Sequence, residues 1–265
     1  MSMKIALLAI DMQRDFVLDG APLSVPGGEA DDKRAGELID RIGEKLTSII
    51  CTLDQHQKFH IAHAQYWVDK DGNHPKPFDV ISHDSVADGF WRTKHMGLQE
   101  WGLKYTKQLD DGGRFPLVIW PEHCLIGRHG ACLSPKIEEA ISRWETKPAV
   151  VRYVAKGSCP HTEHYGAVKA EVPYKDDPTT QMNTPFVRLM EEPDLILFLG
   201  EADTHCVPTT MLDTADELSD EHMKKIVFLE DCASSVPGFE KQRDDAFNKL
   251  IARGMRVDRS DKILL

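Results

Sequence analysis

Short apolar runs alternate with amphipathic stretches along most of this chain, and that alternation limits the fold more than any other feature. Lys4–Ile10 reads as a buried strand. Ala35, Leu38, Ile39, Ile42, Leu46 and Ile49 recur at helical spacing and predict a helix with one buried face. Ser48–Leu53 reads as a strand. Ser134–Pro135 signals the start of a helix over Ile137–Thr146, and Ala149–Val154 is the next strand. Thr184–Pro185 opens another short helix ahead of the strand Leu195–Leu199. Val207–Leu218 is helical, Lys225–Leu229 is a strand, and a helix over Phe239–Arg253 stops at Gly254. Repeated β–α alternation implies an α/β fold, with a mostly parallel sheet covered by helices on both faces.

The stretch from Ala64 to Phe115 breaks this rhythm. It is rich in Gly, Pro, His and charged residues and holds one helix near Leu98–Leu109. It reads as an insertion, around residues 64–115, that folds over the site within a single domain spanning 1–265. A length of 265 residues suits one large α/β unit.

Charge and composition exclude several classes of partner. A formal net charge of −11 argues against nucleic acid and against an anionic membrane surface, since both need a basic patch. No apolar run approaches the ~18 residues of a membrane span. The apolar stretch Ile5–Ile10 ends at Asp11, too soon for the core of a signal peptide. Six cysteines (51, 124, 132, 159, 206 and 232) are spread thinly with no CxxC, which fits a reducing compartment and a cytoplasmic protein.

In open α/β sheets, ligands bind beyond the carboxyl ends of the strands. Asp11 follows the first strand; Asp54 and His56 follow the second. Lys156 follows the strand ending near Val154, and Glu201, Asp203 and Cys206 follow Leu195–Leu199. Taken singly, a strand-end Asp or Lys is usually a solvated turn, and a lone cysteine is usually a core residue. Together they place a carboxylate, an amine, a thiol and a metal-binding pair along one sheet edge. Cys206 starts a helix, where unpaired N–H groups favour a thiolate. Pro208 in the first turn supports that start. Gly200 and Ala202 permit a tight turn that would present backbone N–H groups to an oxyanion. Asp54 and His56 stand two apart, so both can reach one ion from a strand end. His123 supplies a third ligand and leaves the coordination sphere open, as catalytic metal sites require. His60 and His63 read as satisfied or surface histidines. Cys159–His164 is too crowded for a second metal site and reads as a loop and helix start.

The segments IDMQRDF, TLDQH, WPEHCLIGRHGA, YVAKG and LGEADTHCV, in that order, resemble the nicotinamidases (pyrazinamidases) of the isochorismatase-like cysteine hydrolase family. The match covers the chain apart from Ala64–Phe115 and the loop after Lys156. The resemblance implies a three-layer Rossmann-like fold and a Cys206–Asp11–Lys156 triad. It implies one divalent metal on Asp54, His56 and His123. It also implies a cis peptide between Glu201 and Ala202, with an oxyanion hole formed by the N–H groups of Ala202 and Cys206. Phe16 and Trp120 would sandwich a pyridine ring. The implied reaction deamidates nicotinamide to nicotinate and ammonia through a thioester, a step of NAD salvage. Zinc is the first expectation for the metal, with iron or manganese suited to the same ligands. The small-molecule amide is the expected partner, and a homo-oligomer is compatible with the sequence. The chain departs from the family pattern at Gln55, where Trp is usual, at His205, often Tyr, and in the long region between His60 and His123.

Rival readings remain. One is a metal-free relative acting on another small amide, such as an isochorismatase or N-carbamoyl amidase, against which Asp54, His56 and His123 speak. A nucleotide-binding module lacks any GxGxxG or P-loop after the first strand. A structural zinc protein would normally close its site with four Cys or His ligands.

Overall fold

The structure is a computed structural model describing residues 3–112 and 114–263; residues 1–2, 113 and 264–265 of the expected 1–265 unit lie outside it. Six strands form one parallel sheet: β1 (Ile5–Ile10), β2 (Ser48–Asp54), β3 (Val151–Lys156), β4 (Leu195–Gly200), β5 (Ile226–Leu229) and β6 (Arg256–Asp258). Their spatial order is β6-β5-β4-β1-β2-β3. The chain builds outward from β1 in one direction through β2 and β3, then returns to β1 and builds the other way. The gap between the ends of β1 and β4 is therefore a topological switch point.

Every residue of β1 is apolar and buried, so this strand can only be central. Its side chains alternate between two cores. Ala6, Leu8 and Ile10 pack with Val207 and Met211, while Ile5, Leu7 and Ala9 pack with Leu38, Ile39 and Ile141. Two apolar faces on one sheet require a helical layer on each, giving a three-layer α/β architecture. One layer is α1 (Gly28–Ile42) against α3 (Pro135–Trp144). On the other face lie α4 (Thr184–Glu191), α5 (Cys206–Glu217) and α6 (Glu240–Ala252), with α2 (Gln99–Gly112). Asp32 of α1 joins the first two helices. Its carboxylate accepts the Ser134 hydroxyl (2.6 Å) and the otherwise orphaned N–H groups of Lys136 and Ile137 (both 2.9 Å), capping α3 from its neighbour.

Three expectations are corrected. The first helix starts at Gly28 and ends at Ile42, leaving Leu46 in the following turn and Ile49 in β2. The Thr47 N–H and hydroxyl both donate to Ile5 O (2.8 Å each), which draws the chain into strand pairing there. Strand β3 extends to Lys156, because pairing with β2 continues to Asp54. No helix begins at Cys159–His164: Pro160 has no N–H, the Glu163 N–H goes to Tyr105 Oη, and Thr162 Oγ1 goes to Val172 O.

The 64–115 stretch folds around Tyr66, Trp67 and Tyr105, all fully buried. It holds the loop after β3 from outside: Trp101 Nε1 donates to His161 O (2.7 Å) and Tyr105 Oη accepts the Glu163 N–H (3.0 Å). Among the described residues no helix is long and apolar enough to cross a membrane.

Gly200 ends β4 with φ of +134°, and a Cβ there would sit 2.1 Å from Ile10 O. Gly200→Ala combines backbone strain with a clash against the central strand, so a loss of ~3 kcal/mol is expected. That should appear as a fall in Tm of roughly 5–10 °C. An unchanged Tm would show that β4 can move away from β1.

Candidate active site

The four strands around the switch point each deliver one functional group to the same place. Asp11, Lys156, Asp54 and Cys206 are all buried. Asp11 leaves β1 with φ of +45°, a left-handed conformation that Asp tolerates better than most residues. Thr52 of β2 holds it there: Thr52 Oγ1 accepts the Asp11 N–H (3.0 Å) and donates to Asp11 Oδ1 (2.5 Å). Gln13 clamps Asp54 in a similar way, accepting its N–H (2.6 Å) and donating to its carbonyl (2.8 Å).

Lys156 is the hub. Its Nζ lies 2.9 Å from Asp11 Oδ2 and 3.0 Å from Asp54 Oδ1, donates to His164 O (2.9 Å), and stands 3.7 Å from Cys206 Sγ. Burial alone would discharge the ammonium, but the carboxylates of Asp11 and Asp54 hold its pKa well above the ordinary lysine value. For Asp54, burial works against the charge while His56 and Lys156 favour it, and the result is a carboxyl well below its usual range. Asp11 goes the other way. Burial, opposed by Lys156 and reinforced by the Asp54 charge, raises its pKa.

The helix start is one of several influences on the Cys206 thiol. Burial raises its pKa well above the ordinary thiol value; Lys156 pulls down, while Asp11, in hydrogen-bond contact, and Asp54 push up. The helix N-terminus is outweighed by two nearby carboxylates and loss of water. Cys206 and Asp11 thus both stand beside the Lys156 ammonium.

Beside this cluster Asp54, His56 and His123 converge, with ligand atoms all within 4.8 Å of one another. His56 Nε2 is 2.8 Å and His123 Nε2 is 3.5 Å from Asp54 Oδ2. Each imidazole is oriented through its other nitrogen, His56 Nδ1 on Gly157 O (3.2 Å) and His123 Nδ1 on Pro121 O (2.8 Å). Those contacts make Nδ1 the donor and leave Nε2 lone pairs for a metal, so the residues fit a divalent ion. Gly157, with φ of +81°, is needed for this approach: a Cβ would meet Asp54 Oδ1 at 2.7 Å and His56 Cε1 at 3.0 Å.

A second grouping, His56, His60 and Glu163, is close enough in space to suggest another ion. His60 does not fit it. Its Nδ1 accepts the Ala62 N–H (3.2 Å) and its Nε2 contacts Thr162 O (3.1 Å), so the lone pair is already used. Glu163 is the residue that sequence reasoning missed. It is buried, lies with Oε1 4.0 Å from His56 Nε2, and lines the same cavity as Asp54, His123 and Cys206. The only sequence signal was its place in the crowded Cys159–His164 loop, whose path depends on Tyr105.

Phe16 and Trp120 both line that cavity. Trp120 Nε1 donates to Tyr165 Oη (3.0 Å), and His205 packs between Trp120, Tyr165 and Phe239. The Glu201–Ala202 peptide is cis. Among the described residues, the N–H groups of Ala202 and Cys206 have no protein acceptor and are left for a ligand. Of the other cysteines, Cys51, Cys124, Cys159 and Cys232 are buried and Cys132 is exposed.

The fold and the cluster together define an α/β protein with a buried Cys–Asp–Lys group at the switch point of a parallel sheet. The nicotinamidase of Escherichia coli is 26% identical over 209 residues, which cover 78% of this chain and 75% of that protein. The structure of yeast nicotinamidase bound to the inhibitor nicotinaldehyde superposes with a TM-score of 0.66 at 19% identity, covering 96% of this chain and 99% of the other. The pyrazinamidase of Pyrococcus horikoshii in complex with zinc gives 0.58 at 19% identity, covering 97% and 99%. No protein-family model matches the chain. The sequence likeness thus covers about three quarters of the chain, and the likeness in fold nearly all of it.

The donor geometry predicts different outcomes for two histidines. After dialysis, elemental analysis of His123→Ala should show most of the bound divalent metal lost, while His60→Ala should keep it. Equal retention in both would remove His123 from the ligand set.

Proposed function

We propose that this chain is a nicotinamidase, a metal-dependent cysteine amidohydrolase that converts nicotinamide to nicotinate and ammonia. The observation that carries the reading is the contact cluster of Cys206, Asp11 and Lys156 beside a three-ligand donor set, in a cavity lined by Phe16 and Trp120. Nicotinamidases among its relatives support the substrate.

Asp11 takes the proton of the Cys206 thiol, and Lys156 keeps that carboxylate oriented and the ion pair favourable. The thiolate attacks the carboxamide carbon. The N–H groups of Ala202 and Cys206 receive the developing oxyanion, where loss of one such donor typically costs ~3–4 kcal/mol of barrier. Asp11 returns the proton to the leaving nitrogen, ammonia departs, and a thioester to Cys206 remains. Water, deprotonated by Asp11, then attacks the thioester, and the thiol is restored as nicotinate leaves. Asp54, His56 and His123 would hold the divalent ion, with zinc first and iron or manganese suited to the same donors. When bound, the ion supplies a Lewis-acidic partner for the pyridine nitrogen. Phe16 and Trp120 would stack on the ring, and orientation of this kind can contribute several kcal/mol. This reading makes the protein a cytoplasmic enzyme of NAD salvage.

The substrate reading is tested with three amides of similar shape. Nicotinamide and pyrazinamide carry a ring nitrogen at the same distance from the carboxamide, and benzamide does not. The first two should be turned over and benzamide rejected, because a site built for a polar contact discriminates strongly against an analogue lacking it. Equal rates on benzamide would point to a related cysteine hydrolase acting on another small amide. Cys206→Ala should lower kcat by ~10,000-fold with the fold intact.

A pH profile tests the base. Asp11 must be ionised to act, and its pKa is raised, so the acid limb of kcat/KM should lie above the ordinary carboxylate range. Thr52→Val removes a hydrogen bond to the carboxylate and should move that limb further up. A limb that stays put, or moves down, would exclude Asp11 as the group observed.

A further inference from the structure

On the other side of the switch point, two buried carboxyl groups face each other, and the mechanism above uses neither. Glu201, in the turn after β4, is fully buried, and Asp31 of α1 is 1% exposed. Glu201 Oε2 accepts the Ser234 N–H (3.2 Å). Its Oε1 has no donor among the described residues, and the two carboxyls converge on Ser234, whose hydroxyl donates to Asp31 Oδ2 (2.5 Å). Two ionised carboxylates side by side offer only acceptors, so a proton between them would satisfy both.

The surrounding donors decide which group carries it. Asp31 receives the Arg34 guanidinium on Oδ1 and the Ser234 hydroxyl on Oδ2. Glu201 receives one backbone amide and no cation. The nearby cations are already committed: Arg34 to Asp31 and the Asp231 carbonyl, and Arg243 to Asp203 and Asp244. Asp203, the remaining acid facing Glu201, is paired with Arg243 (3.3 Å) and Ser235 Oγ (2.6 Å).

We infer that Glu201 is a neutral carboxylic acid that donates to the Asp31 carboxylate, and that this shared-proton pair positions the turn presenting the Ala202 and Cys206 N–H groups. Burial, and then the Asp31 charge, hold the Glu201 carboxyl well above its ordinary range, in agreement with the hydrogen-bond pattern. The backbone shows the leverage. Glu201 N–H donates to Ile10 O (2.9 Å) and Asp203 N–H donates to Ser234 O (2.9 Å), so the turn is pinned to β1 and to the loop after β5. Glu201 is a positioning residue, because its side chain reaches Asp31 and Ser234 and the N–H groups face the cavity. Ionising it would set two buried carboxylates against each other and displace those donors.

The sign of the pH effect follows. A carboxyl with a raised folded pKa contributes stability fully below the unfolded glutamate value of ~4.3, and that contribution is lost as pH rises through the folded value. Glutamine is the neutral isostere: its amide oxygen can accept the Ser234 N–H and its NH2 can donate to Asp31 at every pH.

The test compares the wild type with Glu201→Gln and Glu201→Leu. Difference infrared spectra at neutral pH, without substrate, should show a protonated carboxyl band in the wild type that is missing from Glu201→Gln. The decline of Tm with rising pH should flatten in Glu201→Gln. The activity arm rests on the nicotinamidase reading. With nicotinamide, Glu201→Leu should lower kcat about tenfold with little change in KM, as expected for slightly misplaced donors. Glu201→Gln should recover most of that loss and shift the alkaline limb of the profile upward. Absence of the carboxyl band, or identical pH dependence of Tm in wild type and Glu201→Gln, would overturn the shared proton. An unchanged kcat in Glu201→Leu would overturn the positioning role. If the band and the flattened Tm appear but nicotinamide is not turned over, the proton pair stands and the substrate reading fails.

Discussion

A single buried ammonium organises this protein. Lys156 sits at the end of a strand with Asp11 and Asp54 on either side, far enough from water that none of the three could remain charged alone. Each carboxylate comes from a different strand, so the charge cluster also ties together the ends of β1, β2 and β3. Removing any member would leave an uncompensated buried charge, which typically destabilises by ~3–5 kcal/mol. The residues proposed for catalysis therefore double as part of what holds the sheet edge in register.

The same balance explains why a thiol, rather than a thiolate, rests at Cys206. Lys156 already has two carboxylate partners within 3.0 Å and sits 3.7 Å from the sulfur. A third anion would have no cation of its own. Charge on sulfur becomes favourable only as Asp11 accepts the proton, so deprotonation and attack are linked by the local charge count. Glu163 adds a further carboxylate to the same cavity. With Asp11 and Asp54 both drawing on Lys156 and Glu163 lining the cavity, the site holds more acidic groups than cations, a condition that suits a divalent cation next to His56 and His123.

Much of this was legible in the sequence, for a physical reason. A buried parallel strand must be continuously apolar, so the first polar residue after it marks where the sheet ends; Asp11 and Glu201 were readable in that way, and Cys206 from the helix start that follows. What could not be read depends on contacts between distant segments. The first helix was drawn too far because Leu46 and Ile49 satisfy a helical spacing, and only the pairing of Thr47 with Ile5 ends it. Glu163 was passed over because its loop takes its path from Tyr105 and Trp101, more than fifty residues earlier in the chain. The helix start at Cys206 could be judged locally, whereas the carboxylates that oppose its effect on the thiol arrive from other strands.

Strand β3 has a neighbour on one side only. Tyr153 in the strand and Val150 just before it are largely exposed, and the backbone of this edge carries fewer constraints than that of β1 or β4. Yet this is the strand that ends in Lys156. Regions with few buried contacts open locally at a smaller free energy than the whole molecule. Fraying of this edge would withdraw the ammonium from between its two carboxylates while β1, β4 and both cores stayed intact. Detachment of this border strand would therefore disable the pocket without melting either core.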